Sequence, residues 1–189
     1  MPGHYFLFLG RHCHRKGIDV LLEALAQQPA RGGVELVIAG DGEHRPALEQ
    51  QANRLGLLPR LRFVGVVRGD AKAYLLQNAR CLVVPSRQWE AFGLVVLEAY
   101  ASRVPVIASR LLGMQELIEP GRTGWLVTPE SSGELAATMD RVWSLGEGSR
   151  QLGEAGFHIA EQFDWKIVAR RHLELYEDLI ARRASRPAA

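Results

Sequence analysis

The chain has 189 residues, 47% hydrophobic and 23% charged, with a formal charge of +2. That length suits one well-buried domain, and so small a charge argues against bulk nucleic-acid binding, so any anion site has to be local. No apolar stretch approaches a membrane span and no basic–apolar–small leader opens the sequence, which sets a cytoplasmic expectation. The two cysteines, Cys13 and Cys81, give no disulfide framework, in keeping with a reducing compartment.

Apolar runs alternate with amphipathic segments. Residues 5–9 read as a strand, 17–27 as a helix with Ile18, Leu21, Leu22 and Leu25 on one face, and 34–39 as a strand. Helix 45–55, strand 61–64, helix 71–77, strand 81–84, helix 94–101 and strand 104–108 follow. A short helix at 114–118 and the turn Glu119-Pro120-Gly121 precede strand 124–127, and helices 132–145 and 149–162 come next. The last helix starts after Asp164, an expected N-cap, and sets Trp165, Val168, His172, Leu175 and Leu179 at helical spacing. Continuous apolar strands separated by helices indicate an α/β domain: a doubly wound, Rossmann-like parallel sheet with helices on both faces and its core at about 5–180.

Ligands of such sheets bind at the carboxyl ends of the strands. Four loops leave those ends, at 10–17, 40–43, 85–93 and 109–113, all rich in glycine or charge. In the third, Glu90 precedes Gly93, and Glu98 lies on the helix that follows. Were this one helix, residues eight apart would differ by about 80° around the axis. A loop before Gly93 lets both carboxylates approach one ligand at the helix N-terminus, where free N–H groups and the dipole favour an anion. Arg11 and Lys16, flanked by Gly10 and Gly17, supply a guanidinium fork and a point charge suited to a diphosphate, a solvated basic turn being the bland alternative. Gly40-Asp41-Gly42 reads as a tight turn. His12 and His14 in an extended segment would point the same way, yet no second ligand cluster has metal spacing, so no metal site is expected. His44, His158 and His172 read as surface or helix-packing residues. Trp125, Trp143 and Trp165 read as packing residues, and Trp89 as a candidate ligand contact.

These motifs resemble the C-terminal, donor-binding half of GT-B glycosyltransferases of group 1, the retaining family 4. Gly10-Arg11…Lys16-Gly17 is similar to the family's diphosphate loop, and Pro85-Ser86…Glu90-Ala91-Phe92-Gly93-Leu94…Glu98-Ala99 to its Glu-x7-Glu signature. The resemblance implies that Arg11, Lys16 and the backbone N–H groups of Phe92, Gly93 and Leu94 bind the diphosphate of a nucleotide-sugar. It implies that Glu98 holds the ribose, that Glu90 holds the donor sugar, and that the base rests near 65–67. No cofactor or metal is implied beyond the donor, a UDP-, GDP- or ADP-sugar. The implied partner is an N-terminal acceptor-binding domain or separate polypeptide. Leu112-Gly113-Met114-Gln115-Glu116 departs from the family's Gly-Gly-x-Pro-Glu. A non-catalytic nucleotide-sugar-binding module and half of a sugar-nucleotide epimerase are the alternative functions. Arg170, Arg171, Arg182 and Arg183 on the last helix offer peripheral membrane contact or, more simply, a solvated face.

Overall fold

The computed structural model describes residues 5–32, 35–88, 90 and 92–184. Val34, Trp89 and Ala91 lie outside them, and with Trp89 the expected ligand contact. Six strands, β1 (Tyr5–Leu9), β2 (Leu36–Ala39), β3 (Leu61–Gly65), β4 (Ala79–Val84), β5 (Val106–Ser109) and β6 (Gly124–Val127), form one parallel sheet in the order β3-β2-β1-β4-β5-β6. Helices α1 (Ile18–Ala26), α2 (Arg45–Arg54), α3 (Gly69–Asn78), α4 (Leu94–Ala101), α5 (Leu112–Gln115), α6 (Ser132–Ser144), α7 (Ser149–Glu161) and α8 (Trp165–Ala184) complete the described chain.

The twofold alternation of strand side chains divides the core. Phe6, Phe8, Ile38, Cys81, Val83 and Ile107 pack with α1, α2 and α6 on one face. Leu7, Val37, Leu82, Val84, Val106 and Ala108 pack with α4 on the other, where Tyr100 is fully buried and donates to Thr123 Oγ1 at 2.8 Å. Helix α7 lies hard against α4 because it presents glycines there: a Cβ on Gly156 would fall 2.3 Å from the Tyr100 ring. Strand β3 is the exception to continuous apolarity. It is an edge strand, and Val64 at its outer end is 42% exposed.

Several expected boundaries move. Strand β5 begins at Val106, because Val104 and Pro105 lead into it, and the short helix falls at Leu112–Gln115 rather than 114–118. Asp164 does cap α8, its Oδ1 accepting from Lys166 N at 2.8 Å. The larger correction concerns Trp165, expected to pack: it is 82% exposed, and Leu173, Leu175, Tyr176, Leu179 and Ile180 along α8 are exposed with it. Helical spacing of apolar residues marks a face fit for burial; among the described residues nothing covers this one. No described helix is long and apolar enough to cross a membrane.

Candidate functional site

The strand order reverses between β1 and β4, so the loops on either side diverge and leave a crevice. A cleft of about 470 Å³ opens there. Leu9, Gly10 and Arg11 line it from the end of β1, Ala39, Gly40 and Asp41 from β2, and Val66 and Val67 from beyond β3. Lys72 of α3 and Leu94, Val95 and Glu98 of α4 close the far side. The walls are largely aliphatic. Arg11 supplies positive charge at one side, and Lys72 Nζ sits 2.6 Å from Glu98 Oε1 at another. The first turn of α4 faces this space with N–H groups that have no partner within the helix.

Close backbone contact between loops shapes the rim. Gly17 has φ 64°, and a Cβ there would lie 2.0 Å from the Pro85 carbonyl oxygen. Gly40 has φ 126°, and its Cβ would lie 1.8 Å from the Gly10 carbonyl oxygen. No side chain fits either position, so the β1 loop is seated against both the β2 and β4 loops. Arg87 N donates to Arg15 O at 2.9 Å. The Arg87 guanidinium donates to Asp19 Oδ1 and Oδ2 at 2.8 and 2.7 Å and to Glu130 Oε1 at 2.8 Å. This fork ties the 85–93 loop to the first turn of α1 and to the segment before α6.

The residues expected at the site fall into three groups. Gly10, Arg11, Leu94 and Glu98 line the cleft, together with Val66 and Val67 from the loop expected to receive a base. Lys16 and Glu90 stand beside it, joined to each other as a pair with side chains 18% and 8% exposed, the second Glu90 oxygen 3.0 Å from Nζ. The spacing of the two loops on one rim does not by itself predict this contact. Phe92 packs its ring on Phe163, centroids 5.3 Å apart, and Gly93 precedes α4 with Met114 beneath it. The Arg11 side chain at the cleft edge is exposed and pairs with Glu43 at 3.2 Å.

The histidine expectation is corrected. Residues 14–16 form a 3-10 turn, so the extended geometry that would align His12 with His14 does not exist. The His14 ring instead meets His44, centroids 5.5 Å apart. His12 is fully buried between Phe8 and Phe63, with neither ring nitrogen hydrogen-bonded. Burial lowers its pKa, the Arg45 guanidinium adds to that, and Asp41 opposes it. Among the described residues no cluster of metal-ligating side chains occurs. Lys72 and Arg87 are the residues the motifs missed. A lysine on a polar helix and an arginine in a loop carry no pattern of their own.

A parallel sheet with a crevice at its switch point, lined by glycine-rich loops and a helix start, defines a Rossmann-like α/β domain. The family model for Glycosyl transferases group 1 matches residues 2–159, and the chain belongs to that family. It is 35% identical over 172 residues to an uncharacterized glycosyltransferase of Methanocaldococcus jannaschii, covering 90% of this chain and 44% of that protein. It is 33% identical over 177 residues to phosphatidyl-myo-inositol mannosyltransferase of Mycobacterium leprae, covering 93% and 46%. Anabaena Alr3699/HepE in complex with UDP superposes with a TM-score of 0.85 at 28% identity, over 93% of this chain and 49% of that one. The fold is thus that of one half of a GT-B glycosyltransferase, and the chain spans about half the length of the curated relatives it matches.

Proposed function

We propose that this chain is the donor-binding domain of a retaining, family 4 glycosyltransferase and holds a nucleotide-diphospho-sugar in the switch-point cleft. The carrying observation is that Arg11, the start of α4 and Glu98 line one cleft, with Leu9, Ala39, Val66 and Val67 as aliphatic wall and Asp41 and Lys72 as its other charged residues. The nucleoside lies toward Val66, Val67 and Glu98, with the ribose hydroxyls on the Glu98 carboxylate. The diphosphate lies toward Arg11 and the N–H groups of Phe92, Gly93 and Leu94, where the helix dipole favours it. A solved neighbour, Anabaena Alr3699/HepE, is in complex with UDP and also with UDP-glucose, which supports this class of ligand.

Lys16 and Glu90 act as a unit in this reading. An ammonium carries three N–H groups; contacts to both Glu90 oxygens leave one for a phosphate oxygen, while Glu90 keeps lone pairs for a sugar hydroxyl. In transfer, the bond from sugar C1 to the diphosphate oxygen breaks and the electron pair stays on the phosphate. The acceptor oxygen bonds to C1 on the same face, and its proton ends on the departing phosphate. Arg11, Lys16 and the α4 N-terminus meet the charge that develops there without a metal ion. The acceptor site and the exclusion of water are assigned to a second domain or polypeptide.

Isothermal titration of the chain with UDP, GDP and ADP tests the site. At least one binds, with unchanged affinity in EDTA. Failure of all three at millimolar concentration sinks the reading. The anomeric configuration of product made with an acceptor domain present, read by NMR, tests retention separately.

A further inference from the structure

Glu98 does not stand in the cleft unaided. Its Oε1 is held at 2.6 Å by Lys72 Nζ, from a different helix, and both side chains line the cleft beside Val66 and Val67. The lysine is 35% exposed and the glutamate 41%. Ion pairs this open to water contribute little to stability, so the pair calls for a reason other than holding α3 to α4. A lone carboxylate on a helix surface samples several rotamers, and every one it loses on binding weakens the complex. An ammonium on Oε1 removes that freedom beforehand and leaves Oε2 as an acceptor for a hydroxyl hydrogen. Lys72 is also placed where a negative charge at the nucleoside end would otherwise repel an approaching diphosphate.

We propose that Lys72 is a positioning residue of the nucleoside subsite, which fixes the Glu98 carboxylate in the rotamer that accepts the ribose diol. This rests on the reading of the cleft as a nucleotide-sugar site. Its signature is that the contribution of Lys72 depends on the ribose hydroxyls. A lysine acting only as positive charge would aid any nucleoside diphosphate equally.

Titration calorimetry of wild type, Lys72→Met and Lys72→Arg with UDP, GDP and ADP, and with the 2′,3′-dideoxy form of whichever binds, decides it. Lys72→Met lowers affinity for the ribonucleotide about tenfold, the size of one lost charge-assisted contact, and leaves the dideoxy affinity within about twofold of wild type. Lys72→Arg recovers most of the loss. An equal fall for both nucleotides, or no fall for either, overturns the role of Lys72 while leaving the cleft assignment standing. No binding by wild type to any of the three overturns both. A melting curve confirms that each variant is folded.

Discussion

Two lysine–glutamate pairs flank the cleft, and they differ in what surrounds them. Lys16–Glu90 joins two loops and is largely buried, in a frame made by the Gly17–Pro85 approach, the Arg87 fork and the Arg15–Arg87 backbone bond. Lys72–Glu98 joins two helices and stands half in water. Removing one partner of a buried pair strands a charge away from solvent, whereas removing one partner of an exposed pair leaves the other hydrated. The first pair therefore ties loop structure to ligand binding, and the second tunes binding on a helix frame that stands without it.

Substitutions that break this contrast are ordered by size. Lys16→Ala lowers stability by about 3 kcal/mol by leaving Glu90 buried and unpaired, read as a shift of the urea midpoint. It also weakens nucleotide binding about 10- to 100-fold. A change below about 1 kcal/mol would place this pair in the same class as Lys72–Glu98. Arg87→Ala removes the bidentate contact with Asp19 and the contact with Glu130, and costs about 2 kcal/mol. Increased amide exchange follows in the 85–93 loop and the first turn of α1; protection there unchanged would show that the glycine approaches alone hold the rim.

His12 is buried between Phe8 and Phe63 against the 40–44 segment, and its depressed pKa fixes the direction of a pH effect. The unfolded chain takes up a proton below about pH 6.5 while the folded chain resists. Stability is therefore complete above that pH and falls as acid is added, until the folded-state pKa is passed. Replacing His12 with Leu removes this contribution, so between pH 7 and pH 5 wild type loses more stability than the variant. Parallel curves from denaturant titrations at the two pH values would contradict the burial of a neutral ring. Glu98→Ala has the smallest structural effect, under about 1 kcal/mol of stability, with affinity for the bound nucleotide reduced about tenfold. A loss of folding in that variant would erase the distinction between the pairs.

The sheet, its helix order and the rim on which its loops gather were legible because buried parallel strands must be apolar throughout and strand ends must face one way. Gly10, Arg11 and Leu94 are legible for the same reason, each next to a strand end or a helix start, and Glu98 follows about one turn into α4. The Lys16–Glu90 contact was not, since it depends on how far two loops approach, and that is set by Pro85 meeting Gly17 across 68 positions of sequence (85 − 17). Lys72 carried no signal because its partner is on another element and its own helix is polar. His12 reads as a loop histidine until Phe63 from β3 is seen to cover it. The exposure of α8 was hidden by an apolar spacing that states what a helix is able to bury, not what lies opposite it.

Binding of the nucleotide in the switch-point cleft is open to a direct test, amide chemical-shift mapping of the chain titrated with UDP, GDP and ADP. The largest shifts are expected on Gly10, Arg11, Gly40, Val66, Val67 and Leu94, with α8 unmoved. Shifts concentrated on α8 or on the α6 side of the sheet, with the cleft amides still, would contradict it.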